Sequence, residues 1–106
     1  MIVQLTNESR IDLKLFQENL NAFNGSGTDF IDKITRTMER LSSAPKLGAS
    51  LNSKISIETD LRFLTFPFTK KQVYIIIYRV DEKANIVYIN RVFDGRMNYL
   101  NTLFND

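Results

Sequence analysis

Residues 61–93 read LRFLTFPFTKKQVYIIIYRVDEKANIVYINRVF, and the fold turns on how this stretch divides. β-Branched and aromatic side chains dominate Leu61–Phe68, Val73–Val80 and Ile86–Phe93, which suits them to a pleated, half-buried surface and predicts three strands. Thr69-Lys70-Lys71-Gln72 and Asp81-Glu82-Lys83-Ala84-Asn85 join them. Connections this short and polar cannot hold a crossover helix, so the strands form an antiparallel meander.

Working upstream, residues 43–60 lose all periodicity, and a connection of that length in a compact domain is usually functional or mobile. Before it, Phe30, Ile34, Met38 and Leu41 recur at helical spacing. Earlier still, Leu13, Phe16, Leu20 and Phe23 do the same, with Ile11 and Leu15 widening the stripe. Asn24-Gly25-Ser26-Gly27 between the two runs stops one helix and caps the next. Thr6 or Asn7 supplies the first N-cap, and Ile2–Leu5 reads as a short strand. Downstream, residues 94–104 turn helical, with Met97, Leu100 and Phe104 on one side. The expected fold is α+β, ordered β-α-α-β-β-β-α, in one domain over residues 1–106. A helical hairpin covers one face of a mostly antiparallel sheet and a C-terminal helix lies near the other.

The shortest registers set Phe68 opposite Val73 and Val80 near Ile86, which assigns each side chain to a face. One face then collects Arg62, Leu64, Phe66, Phe68, Val73, Ile75, Ile77, Arg79, Val87, Ile89, Arg91 and Phe93. Tyr74, Ile76, Tyr78, Val80, Tyr88 and Val92 fall on the other, with Leu61, Phe63 and Ile86. Both faces are apolar, and the helical hairpin covers only one. Either a partner chain covers the second, since apolar patches of this size mark interaction sites, or the chain's own packing buries the central strand on both sides.

Hydrophobic residues make up 43% and charged residues 25% of the 106, an ordinary globular balance with no apolar run long enough to cross a bilayer. The polar start after five residues lacks the pattern of a secretion signal, so the cytoplasm is the expected location. Without Cys or His, a disulfide framework, the usual zinc and transition-metal sites, and Ser-His or Cys-His nucleophiles are all excluded. No metal or other cofactor is expected. The net charge of +2 divides unevenly: residues 1–43 carry five cations against six anions, residues 44–106 nine against six. Lys70-Lys71 reads as a charged hairpin tip, Glu58 and Asp60 as a solvated loop, and Arg79 and Arg91 as rim arginines among aliphatic neighbours.

Several short motifs in order then resemble the RelE/ParE toxin superfamily. They are Leu5-Thr6, Asp12-Leu13, Pro45 with Leu47-Gly48, Tyr78-Arg79-Val80-Asp81-Glu82, and Arg91-Val92-Phe93-Asp94-Gly95-Arg96-Met97-Asn98-Tyr99. The resemblance implies the toxin of a type II toxin-antitoxin system, which arrests growth until a cognate antitoxin wraps around it in a hetero-oligomer, away from any membrane.

Two activities divide that superfamily. Nuclease members cut mRNA on the ribosome without relying on metal, using cations on the sheet face and an arginine and an aromatic near the C-terminus. Arg62 and Arg96 fall at the cationic positions and Tyr99, set closer to Arg96 than the nuclease pattern has it, stands in for the aromatic; the three would be the catalytic set of such an endoribonuclease. Ile75 and Leu64 stand where further cations would help, and they make a poor phosphate site. The ParE branch poisons DNA gyrase, and its Arg-Val, Gly and Arg pattern is similar to Arg91-Val92 and Gly95-Arg96. That branch, and a non-enzymatic inhibitor, is the favoured expectation. Arg62, Arg91, Arg96 and Tyr99 then contact the target, while the antitoxin folds onto Leu64, Phe66, Ile75, Ile77 and Phe93.

Overall fold

Between Leu5 and Asn7 the chain changes from strand to helix, and Thr6 makes the change. Its hydroxyl accepts from the Ser9 amide at 3.2 Å, satisfying a helix N-terminal donor that would otherwise have no partner. The same oxygen lies 3.0 Å from the Ile89 and Asn90 carbonyls, so the cap also ties the helix start to a distant strand. The computed structural model describes residues 1–56 and 58–104. Their elements run β1 (Ile2–Leu5), α1 (Asn7–Asn24), α2 (Gly27–Glu39), β2 (Ala49–Ser50), β3 (Arg62–Pro67), β4 (Val73–Asp81), β5 (Ile86–Asp94) and α3 (Tyr99–Phe104). Single 3-10 turns at Arg40–Ser42 and Leu51–Ser53 flank β2. The aperiodic connection therefore has local structure; its residue 57 lies outside the described residues.

Gly25 ends α1 at φ 76°, a left-handed conformation that costs glycine nothing, and its amide closes on the Leu20 and Asn21 carbonyls. α2 then folds back along α1, which is the expected helical hairpin. The sheet order is β1-β5-β4-β3-β2. The meander β3-β4-β5 is antiparallel, as its short connections require, and β1 adds a parallel edge against β5 with Ile2 beside Ile86 and Leu5 beside Ile89.

Register departs from the shortest closure in both hairpins. At the first turn the amides of Phe68 and Thr69 both donate to the Gln72 carbonyl, at 2.9 and 3.1 Å. Two residues of one strand thus oppose one of the other, a bulge that slips the pairing so that Pro67 faces Val73 and Phe66 faces Tyr74. Because side chains alternate, that single step turns Arg62, Leu64 and Phe66 to the face of Tyr74, Ile76 and Tyr78. At the second turn Asp81 remains paired, with Ile86, and Val80 lies opposite Val87 rather than Ile86. Asn85 closes this turn at φ 59°, a conformation asparagine tolerates better than most. A second bulge follows, since Tyr78 pairs Ile89 and Ile77 pairs Arg91, leaving Asn90 unmatched. It returns Arg91 and Phe93 to the face of Ile75 and Ile77.

Two cores result. On the helical side, Phe30, Ile34, Met38 and Leu41 pack with Leu13 and Leu20 against Phe66, Tyr74, Ile76, Tyr78, Val87, Ile89 and Val92. Tyr88, expected among those aromatics, instead faces the other way, with the Arg79 guanidinium 4.8 Å above its ring. On the second side, Leu51, Ile75, Ile77 and Phe93 are buried beneath Leu61, Phe63 and the α3 residues Tyr99, Leu100, Leu103 and Phe104. The chain's own packing therefore encloses β4 on both faces. Leu51 is the principal surprise, since nothing in an aperiodic loop marks one leucine as a core residue.

Candidate functional site

β1 stops at Leu5, so β5 continues beyond it with an edge that has no strand neighbour, and α1 lies against that edge. Asp12 fills the vacancy. One carboxylate oxygen accepts from the Val92 amide at 2.9 Å and from Arg91 Nε at 2.8 Å, while the other accepts from Arg91 Nη2 at 3.0 Å. This is a two-pronged arginine clasp in which the carboxylate also substitutes for a missing ladder carbonyl. The Arg91 guanidinium lies 4.7 Å over the Phe93 ring, and the Arg91 side chain is 31% exposed. Expected as a target contact, Arg91 thus also fastens α1 to the sheet.

Arg62 serves a different loop. Its Nη2 and Nε reach the Gly48 carbonyl at 2.6 and 3.1 Å, and the Tyr78 hydroxyl accepts from the Gly48 amide at 2.8 Å. A Cβ on Gly48 would stand 2.3 Å from the Phe63 carbonyl oxygen, so only glycine allows this close approach. Arg62 pairs across from Tyr78, whereas Asp94, next to the Arg96 turn, pairs across from Tyr74. Four residues of strand, roughly 13 Å, separate those two positions along β4. The fold does not bring Arg62 and Arg96 together.

Arg96 follows the end of β5 and pairs with Asp94 at 2.8 Å, while its side chain stays 77% exposed. That bond holds the Asp94 carboxyl below its ordinary range, and the Asp94 carboxylate in turn raises the Arg96 guanidinium. Beside the pair opens a cleft of about 480 Å³ lined by Phe16, Leu20 and Phe23 of α1, Lys71 of the first hairpin tip, Tyr74 and Arg96. Burial pushes the Tyr74 phenol upward, Asp94 adds to this, and Arg96 opposes it. The phenol is therefore kept protonated and is a poor general base.

Tyr99 opens α3 and stacks on Phe93 with ring centroids 5.9 Å apart. Arg91, Phe93 and Tyr99 consequently form one continuous cluster. The five residues expected to receive an antitoxin are divided: Leu64 and Phe66 turn to the helices, and Ile75, Ile77 and Phe93 lie under α3. Among the described residues no group of three or more His, Cys, Asp or Glu side chains converges to hold a metal. Sequence reasoning missed Lys71 and Phe23 as neighbours of Arg96. Phe23 was expected within the buried α1 stripe and is instead 77% exposed, and no sequence signal existed for the juxtaposition.

A helical hairpin on a five-stranded sheet with a short C-terminal helix is the architecture of the RelE/ParE toxins. The chain superimposes on the chromosomal ParDE toxin-antitoxin system from P. aeruginosa with a TM-score of 0.70, at 18% identity over 89% of this chain and 95% of that one. It also resembles the intact E. coli RelBE toxin-antitoxin complex, with a TM-score of 0.62 and 9% identity over 91% of this chain and 98% of that one. No curated protein matches the sequence significantly. The model of the family described as ParE toxin of type II toxin-antitoxin system, parDE, matches residues 3–99. The chain belongs to this ParE toxin family.

Proposed function

We propose that this chain arrests bacterial growth by binding and poisoning DNA gyrase in the cytoplasm, and that a cognate antitoxin neutralises it in a hetero-oligomer. The observation that carries this reading is the scattering of the cations a nuclease would need. Transfer at a phosphate calls for positive groups converging on one reacting centre, together with a group that moves a proton. Arg62 is bonded to Gly48 roughly 13 Å along the sheet from the Arg96 turn, and the positions beneath α3 are Ile75, Ile77 and Phe93. The exposed Arg96, with the partly exposed Arg91 and Tyr99, suits a protein contact, where arginine and aromatic side chains supply most of the affinity.

A supercoiling assay with purified gyrase, run beside an mRNA cleavage assay on translating ribosomes, tests the reading. Loss of supercoiling with intact message is expected, and Arg96→Ala is expected to relieve it. Message cleavage with gyrase unaffected would overturn it in favour of a ribosome-dependent endoribonuclease using Arg62, Arg96 and Tyr99.

A further inference from the structure

Arg96 is the one residue that the cleft beside α1 shares with the proposed target contacts. The cleft opens on the helical side of the sheet, because Phe16, Leu20 and Tyr74 belong to the core beneath α1 and α2, whereas Tyr99 stacks on Phe93 under α3. Its volume of about 480 Å³ lies within the roughly 300–1,000 Å³ typical of small-molecule sites.

Part of the lining is aromatic. The Phe16 and Tyr74 rings meet edge to face, with centroids 5.0 Å apart and an angle of 69° between their planes. Phe23 lines the same cleft, is 77% exposed, and makes no aromatic or cation–π contact among the described residues. A bare phenyl face fixed on a helix is a platform for a flat ring, which would take both out of water.

The remainder is cationic and polar. Lys71 is exposed and its ammonium has no ion-pair partner among the described residues. Arg96 gives Nε and Nη2 to Asp94, which leaves its Nη1 group to donate elsewhere. Asp94, the anion of the lining, is turned onto Arg96, accepting from its amide as well at 2.9 Å. The Asn19 and Gln72 amides complete the wall, each both donor and acceptor. A hydrocarbon ligand would leave these cations unmatched, and a bare anion would leave the rings wet. The combination calls for a flat heteroaromatic ring joined to a phosphate, since phosphate takes charge-assisted hydrogen bonds from ammonium and guanidinium groups.

We infer that this cleft binds a free nucleoside monophosphate, with the base against Phe23, the base edge on Asn19 and Gln72, and the phosphate on Lys71 and the Nη1 group of Arg96. A strand is a poorer occupant, because strand binding calls for cations that track a backbone and aromatics that receive successive bases. Here one exposed platform adjoins one pair of cations. The site stands apart from both the target and the antitoxin readings.

The test titrates adenosine monophosphate, adenosine and inorganic phosphate separately into the purified chain and into Phe23→Ala and Lys71→Gln, followed by calorimetry. Both residues are exposed and neither is a proposed target contact, so both variants should melt with the wild type. Phe23→Ala is expected to weaken the monophosphate by about 10-fold, the scale of one lost base stack, and to weaken adenosine equally. Lys71→Gln should weaken the monophosphate by about 10-fold and leave adenosine unchanged. Added salt should lower the affinity for the monophosphate and spare that for adenosine. Absence of monophosphate binding, equal affinity in all three chains, or inorganic phosphate bound as tightly as the monophosphate would each overturn the inference. Binding of a single-stranded oligonucleotide without binding of the monophosphate would also overturn it, and would assign the face to a nucleic-acid strand. None of these outcomes bears on the gyrase reading, which the supercoiling assay tests separately.

Discussion

Replacing Asp12 by alanine deletes three hydrogen bonds, two to Arg91 and one to the Val92 amide. The amide is the larger loss. It is buried at a strand edge where no neighbouring strand can supply an acceptor, and an unsatisfied N–H of that kind costs about 1–3 kcal/mol. Arg91 is different, because its side chain is 31% exposed and its charge can turn toward water, so the ion pair itself contributes about 1 kcal/mol or less. Together the substitution should cost about 1–4 kcal/mol. For a chain of this size that lowers the melting temperature by roughly 5–20 °C. Urea unfolding followed by circular dichroism measures it as a shift in midpoint with an unchanged slope. Two comparisons apportion the effect. Asp12→Asn keeps an acceptor for Val92 and should cost less than alanine, while Arg91→Met leaves the Val92 amide satisfied but removes the ion pair together with the guanidinium's seat over Phe93, and should cost about 1–2 kcal/mol. An Asp12→Ala loss below about 0.5 kcal/mol, the scale of an ordinary surface change, would refute the claim that this carboxylate completes the sheet edge.

Gly48→Ala should cost about 1–3 kcal/mol, because the added methyl meets the Phe63 carbonyl at 2.3 Å and the Tyr78 hydroxyl at 2.8 Å; chemical denaturation at wild-type level would contradict the Arg62–Gly48–Tyr78 latch. Asp94 is held below the ordinary carboxyl value of 3.8, chiefly by its hydrogen bond to Arg96. Its stabilising contribution is therefore present above that pH and lost as pH falls through the folded value. Asp94→Asn should flatten the acid limb of the stability curve, by a small amount that vanishes in high salt since the pair is exposed. Tyr74 is shifted upward from 10.0, mainly by burial, so its contribution is complete below that pH and disappears as pH rises through the folded value. Unfolding midpoints of Tyr74→Phe should fall less steeply than wild type in alkali, and parallel curves would contradict the burial of the phenol.

The sequence offered the candidate site as residue types rather than as a place. Arg96 and Tyr99 stood out because the resemblance implies an arginine and an aromatic near the C-terminus, and the structure keeps Arg96 exposed while Tyr99 stacks on Phe93. Arg62 stood out equally, yet its guanidinium is spent on the Gly48 carbonyl. Nothing in a linear string shows that a carbonyl fourteen positions upstream will come within 2.6 Å of it. The cleft joining Phe23, Lys71 and Arg96 is likewise a product of three elements distant in sequence.

The identity of β1, α1, α2, β3, β4 and β5 came from the sequence alone, because each depends on interactions within a few residues, whereas β2 and its flanking 3-10 turns were missed and α3 begins at Tyr99 rather than at residue 94. The runs 61–68, 73–80 and 86–93 differ from β3, β4 and β5 only at their ends, and Thr6 and Gly25 bound α1 as their chemistry requires. Which face each side chain occupies was settled only in three dimensions. Side chains alternate with a period of two, so one bulge at Gln72 carried Leu64 and Phe66 into the helical core, and another at Asn90 brought Phe93 back beneath α3. A bulge is one unpaired residue selected by the packing of the whole sheet. No local pattern encodes that choice, and it decides which apolar surface remains for a partner.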